Sequence, residues 1–263
     1  MKKHADVNGC RIAYREEGSG EPIVLIHGLC GSAAYWKYVL PLLAADYRVI
    51  VPDLRGHGDS DAPEDGPYTV ELMADDIAAL LDQLQIETAT LFGHSLGGYV
   101  TLAFAERHVQ RLRAFSLVHS MAYPDSEEAK AGRIKAAESI REHGMVPYMK
   151  TLAPKLFAPA LVETLADEVA HVRKIGEETK PIGAINTLLG MKERPDRNHV
   201  LRETAVPVLL VAGEHDQVIP PDKTFSVQKS QIAEVLLKEV GHMSMLEAPE
   251  DLHQALSSFL QQK

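Results

Sequence analysis

One serine in this chain stands in a setting that suits a nucleophile. Ser95 is the central residue of Gly-His-Ser-Leu-Gly at 93–97, directly after the apolar run 89–92. A strand, a tight turn and a helix in that order hold the serine hydroxyl in the open, with the helix N-terminus behind it. The two glycines leave space for the turn, where side chains would collide with the backbone. A dinucleotide-binding loop would have glycine in place of Ser95, so the motif predicts a nucleophile elbow.

Two later segments supply the partners that a nucleophilic serine needs. The apolar run 206–212 predicts a buried strand, and Asp216 lies in the loop after it. The run 235–240 predicts the next strand, and His242 follows it. Because the carboxyl ends of parallel strands meet at one edge of a sheet, these residues are expected to converge with Ser95 as a Ser-His-Asp triad.

Alternatives to these partners exist. Glu214 and Asp222 lie close to Asp216 in the sequence, and Asp125 follows the preceding strand, so the identity of the acid stays open among them. His94 adjoins the serine, but successive side chains of the turn diverge, which makes it a poor candidate for the base.

The elements that must position these residues alternate between strands and helices. Residues 11–17 alternate polar and apolar side chains and predict an early antiparallel strand, whereas 23–27, 48–51 and 112–119 predict buried strands. Residues 69–84 have apolar side chains at helical spacing with acidic ones opposite. This alternation predicts an α/β fold with a mostly parallel sheet covered by helices on both faces.

Strand-like runs disappear between residues 122 and 202. Amphipathic helices are predicted there at 126–143, 161–175 and 181–192, and a further helix is predicted earlier at 36–44. We expect 122–202 to form a small helical cap inserted into a core made of 1–121 and 203–263, within one structural domain overall. A cap of this size is large enough to roof a pocket.

Two further motifs complete a family pattern. His27-Gly28 ends the strand at 23–26, and Asp-Leu-Arg-Gly-His-Gly-Asp-Ser at 53–60 follows another strand. With the serine motif and the order of the triad, they make the chain resemble the α/β-hydrolase superfamily, in its compact carboxylesterase-like branch, over essentially its whole length. The resemblance implies an eight-stranded sheet and an oxyanion hole made by the backbone N–H groups of Leu29 and Leu96.

The chemistry implied is acyl transfer. His242 would remove the proton of the attacking serine, and Asp216 would orient the imidazole. We expect a serine hydrolase that cleaves small-molecule carboxylic esters with small to medium acyl or alcohol groups. Candidates for the pocket lining are His27, His119, Met121, Met145, Met149, Leu152, Leu188, Met191 and Met243.

Other reactions of the same triad stay open: enol-lactone opening, C–C bond hydrolysis and cofactor-free perhydrolysis. An anionic lactone would require an inward-facing cap cation such as Arg133, Lys150 or Arg173. A less favoured alternative is a receptor that binds a small ligand without turnover.

Composition narrows the range of partners. The 263 residues include 27 Lys plus Arg against 37 Asp plus Glu, a net charge of −10. This balance repels nucleic acid and anionic membranes, and no apolar run approaches the roughly 18 residues of a membrane span. Two cysteines without C-x-x-C spacing and scattered histidines predict no disulfide framework, no metal and no cofactor. Lys2 and Lys3 precede no apolar stretch, so a cytoplasmic protein is expected, with a homodimer as one option for its assembly.

Overall fold

A computed structural model describes residues 2–262, and in this range the chain forms one eight-stranded sheet. The strands are Lys2–Val7 (β1), Cys10–Glu17 (β2), Pro22–Ile26 (β3), Arg48–Pro52 (β4), Ala89–His94 (β5), Leu112–Val118 (β6), Val208–Gly213 (β7) and Ile232–Leu237 (β8). Their order is β1-β2-β4-β3-β5-β6-β7-β8. Strand β2 is antiparallel to β1 and β4, and the pairs from β4 through β8 are parallel. The predicted α/β class and mostly parallel sheet are confirmed.

Helices cover both faces of the sheet. In residues 2–262 the α-helices are Val39–Leu43 (α1), Val70–Gln83 (α2), Leu96–Arg107 (α3), Glu127–His143 (α4), Met145–Leu152 (α5), Ala166–Glu177 (α6), Pro181–Lys192 (α7), Asn198–Glu203 (α8), Pro221–Thr224 (α9), Ser244–Glu247 (α10) and Pro249–Gln261 (α11). Short 3-10 helices lie at Ala33–Trp36, Val109–Arg111, Ala153–Leu156 and Pro159–Leu161. None of the helices in the described range combines the length and apolarity needed to cross a bilayer.

The core has two parts, one on each face of the sheet. Val24 and Ile26 of β3 belong to one apolar cluster, whereas Ile23 and Leu25 belong to the other. Successive strand residues point to opposite faces, so a strand covered on both sides must be apolar throughout. This is why the central strands read as continuous hydrophobic runs.

The segment between β6 and β7 contains only helices, α4 to α8, among its regular elements. Helix α4 begins where the Ser126 hydroxyl accepts the N–H of Ala129, and it packs against α7. The division of the chain into a core and a cap at 122–202 stays a prediction.

Local details differ from the sequence-based expectations. Instead of one helix at 36–44, a 3-10 turn ends at Trp36 and α1 starts at Val39, because Pro41 lacks the N–H that a helix running through 36–44 would use. Strand β8 lies three residues earlier than expected, since Glu239 adopts a left-handed φ of 57°. Strand β1 was not anticipated, although Asn8-Gly9 at its hairpin turn is a strong signal.

Candidate active site

Ser95 lies in the turn between β5 and α3. Its φ of 52° and ψ of −112° are sparsely populated for a residue with a side chain. A Cβ at Gly93 would collide with the carbonyl of Gly97, and one at Gly97 would collide with the carbonyl of Ile26. The turn is held by the Ser95 N–H, which donates to the Val118 carbonyl at 3.0 Å. Packing around the glycines therefore holds the strained serine at the end of its strand.

Asp216 and His242 lie in the loops that follow β7 and β8. Oδ1 of Asp216 accepts the backbone N–H groups of Val218 at 2.8 Å and Ile219 at 2.9 Å, while Oδ2 lies 2.7 Å from Nδ1 of His242. An ionised carboxylate only accepts hydrogen bonds, so Nδ1 is the donor and Nε2 of the neutral ring is free to take a proton. This is the tautomer that a general base requires.

The carboxyl of Asp216 is ionised. Burial by itself raises its pKa, but His242 and His119 outweigh that effect and hold the pKa well below its usual value. The anion can therefore stabilise a positive charge on His242.

Ser95 and His242 border one cavity of about 160 Å³. Within residues 2–262 no hydrogen bond joins the serine hydroxyl to the imidazole. In enzymes without substrate such bonds are often long and tighten when substrate binds. The cavity is lined by Gly28, Leu29, Tyr35, His94, Ser95, Tyr99, Arg133, Tyr148, Leu152, Leu156, Met191, Val218 and His242.

This lining corrects the sequence-based list. Leu152 and Met191 border the cavity as expected, but seven other candidates do not: His27, His119, Met121, Met145, Met149, Leu188 and Met243. The thioether and leucine side chains among them pack into the two apolar clusters beside the sheet. Aromatic residues that sequence reasoning missed, Tyr35, Tyr99 and Tyr148, take their place. Hydrophobic periodicity does not distinguish a helical side chain that faces the cavity from one that faces the core.

His27 supports the loop that carries Leu29. Its Nδ1 donates to the Gly28 carbonyl at 2.8 Å, and its Nε2 accepts the Leu54 N–H at 2.9 Å. Burial lowers the pKa of His27 to about 4, so the ring is neutral at physiological pH. Both nitrogens are committed to backbone groups, which makes His27 a support for the site.

His119 contacts the acid from a second direction. Its Nδ1 lies 3.4 Å from Oδ2 of Asp216, and its Nε2 lies 2.7 Å from the hydroxyl of Ser244. Burial lowers the pKa of His119, and Asp216 opposes that effect. The side chain is completely buried beside Asp216 and does not form a wall of the cavity.

Two residues brace the loop of His242. Glu247 accepts three backbone N–H groups, from Ala158 and Gly241 at 2.9 Å each and from Met243 at 2.8 Å. Nε2 of His94 lies 2.9 Å from the carbonyl oxygen of His242 and donates to it. Burial, with the neighbouring rings of His242 and His119, holds the pKa of His94 well below its usual value. The sequence gives no sign that Glu247 and His94 support this loop, except that they lie near His242 and Ser95 in the chain.

The backbone N–H groups of Leu29 and Leu96 are available as donors. Leu29 borders the cavity, and Leu96 is the first residue of α3. Within residues 2–262 neither N–H has a hydrogen-bond acceptor. The free N–H of Leu96 lies at a helix start, which favours an anion, and a second free N–H beside the cavity at Leu29 also suits an oxyanion hole.

The other carboxylates considered for the acid are paired elsewhere. Glu214 lies 2.7 Å from Lys238, and Asp222 lies 3.7 Å from Lys223. Asp125 pairs with arginine side chains, and its Oδ1 lies 2.6 Å from Nη1 of Arg194. In the described range none of the three has an imidazole nitrogen within 4.0 Å of its carboxylate, whereas Asp216 has two.

Among the residues that the structure describes, two groups of side chains have the spacing of metal ligands. The ligand atoms of His119, Asp216 and His242 lie within 4.8 Å of one another, as do those of an exposed group at Glu214, His215 and Glu239. In the first group the hydrogen bond between Asp216 and His242 already occupies the ligand atoms. We therefore interpret that group as hydrogen-bonded side chains of the candidate active site.

A larger cavity of about 410 Å³ lies between β2 and α6. Tyr14 and Arg15 line one side of it, and His171 and Lys174 line another. It borders none of Ser95, Asp216 and His242, so the smaller cavity is the candidate active site.

Comparisons with known proteins fit this geometry. Residues 21–138 match the profile of the alpha/beta hydrolase fold family. The chain is 36% identical over 266 residues to the dihydrolipoyllysine-residue acetyltransferase component of an acetoin cleaving system from Pseudomonas putida, an alignment that covers 97% of this chain and 68% of that protein. A thermophilic esterase from Thermogutta terrifontis superimposes with a TM-score of 0.95 at 32% identity, over 100% of this chain and 98% of that one. An enol-lactonase from Burkholderia xenovorans LB400 superimposes with a TM-score of 0.90 at 28% identity, over 98% of this chain and 100% of that one.

Proposed function

This chain belongs to the α/β-hydrolase superfamily, and we propose that it is a serine hydrolase that cleaves small-molecule carboxylic esters through an acyl-enzyme intermediate. The observation that carries the proposal is the 2.7 Å contact between Nδ1 of His242 and Oδ2 of Asp216, in a pair whose imidazole shares one cavity with Ser95. The esterase from Thermogutta terrifontis, with its TM-score of 0.95, supports the ester as substrate.

The first half of the reaction acylates the serine. Ser95 Oγ attacks the ester carbonyl while Nε2 of His242 accepts its proton, and the imidazolium is stabilised by Asp216. The N–H groups of Leu29 and Leu96 bind the oxyanion of the tetrahedral intermediate. His242 then gives the proton to the leaving alcohol, and the carbonyl carbon stays bonded to the serine oxygen.

The second half reverses these roles for water. Nε2 of His242 removes a proton from water as it attacks the acyl-enzyme, and the same two N–H groups bind the new oxyanion. Collapse of this intermediate releases the carboxylic acid, and the proton returns from His242 to Ser95. The enzyme needs no cofactor for either half.

We propose that the segment 122–202 acts as the cap over this reaction. Arg133, Tyr148, Leu152, Leu156 and Met191 all come from that segment and border the cavity. Exchange of the cap should therefore change the preference for substrate more than the chemistry at Ser95.

A second candidate is hydrolysis of an enol-lactone by the same triad. Arg133 borders the cavity, as an anionic lactone would require, and the enol-lactonase from Burkholderia xenovorans LB400 has a similar fold. Esters and lactones share the acyl-transfer mechanism, so a panel with both substrate types would decide between them.

Replacement of Ser95 tests the proposal. We expect Ser95→Ala to lower kcat for 4-nitrophenyl butyrate by at least about 10³-fold, because members of a triad fail as a unit. Unfolding temperature should change little, and an organophosphonate should label Ser95 in the wild type, as seen by peptide mass spectrometry. Ser258→Ala on α11, which does not border the cavity, serves as the matched control. Retained activity in Ser95→Ala, or a label on another residue, would show that the nucleophile lies elsewhere.

A further inference from the structure

One fixed positive charge borders the candidate active-site cavity. Of the Lys, Arg, Asp and Glu residues in the described range, Arg133 alone contributes to its lining. The other lining side chains are aliphatic, thioether, aromatic, hydroxyl or imidazole groups. In a chain whose net charge is −10, this cation makes the cavity locally attractive to an anion.

Arg133 has a donor that its own contacts do not fully use. Its Nε and Nη2 bind the carboxylate of Asp125, with Nη2 at 3.1 Å from Oδ1. Its Nη1 lies 3.7 Å from the sulfur of Met191, which also borders the cavity. A thioether is a weak acceptor, so the hydrogens on Nη1 keep most of their capacity to bind a ligand.

Asp125 does not neutralise the charge at this place, because it serves two arginines. Nη1 of Arg194 lies 2.6 Å from Oδ1 of the same carboxylate. Burial by itself raises the pKa of Asp125, but the two guanidinium groups outweigh it and lower the pKa, so the carboxyl is ionised. Two positive charges therefore share one negative charge.

Arg194, which does not border the cavity, is the second guanidinium bound to the carboxylate of Asp125. Its Nε and Nη2 are buried and have no hydrogen-bond partner within residues 2–262. Its guanidinium lies over the ring of Tyr99 at 4.0 Å, and Tyr99 borders the cavity. Buried donors without acceptors are costly, and an anion near Arg133 would relieve the local excess of positive charge.

We infer that Arg133, backed by Arg194 and Asp125, is the binding site for a carboxylate of the substrate. The inference rests on the proposed ester hydrolysis and specifies its substrate class: esters or lactones that carry a free carboxylate in addition to the carbonyl attacked by Ser95. A carboxylate oxygen accepts from Nη1 of Arg133 in a charge-assisted hydrogen bond. The two other candidate cations do not fill this role, because Lys150 is exposed and Arg173 pairs with Glu177 at 2.6 Å.

A purely structural role for Arg133 makes a different prediction. If the pair with Asp125 only fastens α4 to the protein, loss of Arg133 should affect all substrates alike. If Arg133 binds a carboxylate, the loss should fall on anionic substrates. The decisive quantity is therefore the ratio of kcat/KM for an anionic ester to kcat/KM for its neutral isostere.

The experiment compares matched esters. The first pair is the 4-nitrophenyl monoester of adipic acid and the same ester with a terminal amide, and the second pair is 4-carboxyphenyl and 4-carbamoylphenyl butyrate. The pairs place the carboxylate in the acyl half and in the alcohol half. We expect the wild type to prefer the anionic member of one pair, and Arg133→Gln to lower that ratio by on the order of 10- to 100-fold, mainly through KM.

Two further variants calibrate the result. Arg133→Lys should recover part of the ratio, because it keeps the charge without the fork of donors. Arg141→Gln removes the same charge from an exposed position on α4 and should leave the ratio unchanged. An unchanged ratio in Arg133→Gln for both pairs, or an equal fall in Arg141→Gln, would overturn the inference.

A binding measurement separates this inference from the proposed function. Calorimetric titration of the four esters into Ser95→Ala and Ser95→Ala/Arg133→Gln needs no turnover. Weaker binding of an anionic ester in the double variant, with the neutral ester less affected, supports the carboxylate site even if the wild type hydrolyses none of the esters. Equal affinities in both proteins would refute it even if the neutral esters are good substrates.

Discussion

Replacement of Asp216 by Asn should reduce turnover by switching the tautomer of His242. The carboxylate has one oxygen bound to two backbone N–H groups, at 2.8 and 2.9 Å, and the other bound to Nδ1 of His242 at 2.7 Å. An asparagine has one oxygen and one NH2 group, so it must turn one of them toward each side. The two sides compete for the amide oxygen.

The energies favour the orientation with the oxygen toward the loop. The reverse orientation would place NH2 against both backbone N–H groups and leave both without an acceptor, which costs roughly 1–3 kcal/mol for the buried N–H of Ile219 and less for the partly buried N–H of Val218. With the oxygen toward the loop, NH2 faces Nδ1 of His242, which must then accept. The proton moves to Nε2, and the base can no longer receive the proton of Ser95.

The expected loss is on the order of 10⁴-fold in kcat, or about 5.4 kcal/mol of activation free energy. Stability should change far less, because the loop hydrogen bonds are kept in weaker, neutral form at a cost of about 1–2 kcal/mol. The assay is steady-state hydrolysis of 4-nitrophenyl butyrate, with the unfolding temperature measured on the same samples.

Matched controls come from the neighbouring acids. Glu214→Gln and Asp222→Asn change exposed carboxylates that pair with lysines, so kcat should stay within about twofold. A loss of less than tenfold in Asp216→Asn would refute the tautomer argument. A large loss in Glu214→Gln or Asp222→Asn would move the acid to that residue.

Two predictions concern the supports of the site. Glu247→Gln puts an NH2 group against a backbone N–H that now donates to the carboxylate. We therefore expect the free energy of unfolding in urea to fall by about 1–3 kcal/mol and kcat to decrease. If both values are unaltered, Glu247 does not support the loop of His242. The folded state holds His27 at a pKa of about 4 against an ordinary 6.5, so the unfolded chain binds the proton first as pH falls. The free energy of unfolding should therefore decrease from about pH 6.5 to about pH 4, by up to about 1.4 kcal/mol per pH unit for this group. His27→Gln should reduce that slope, and an identical slope would contradict the assignment.

Helices and strands could be predicted from the sequence where interactions between neighbouring residues determine their limits. The limits of α7 and the antiparallel β2 follow from periodicity, and the elbow at Ser95 follows from glycine spacing. The bounds of β8 and the break before α1 could not be predicted in this way. The left-handed backbone at Glu239 and the proline within α1 set where these elements end or begin.

Sequence alone determined the order Ser95, Asp216, His242 and the position of each in a turn or loop after a strand, because turn sterics and strand alternation act over a few neighbouring residues. Tertiary structure decided what surrounds those residues. Whether a side chain of the segment 122–202, such as Arg133 or Met149, faces the cavity or the core depends on how α4 to α7 pack on one another and on the sheet. Hydrophobic spacing predicts the apolar face of a helix, but several elements compete for that face, and only their mutual packing settles which one it covers.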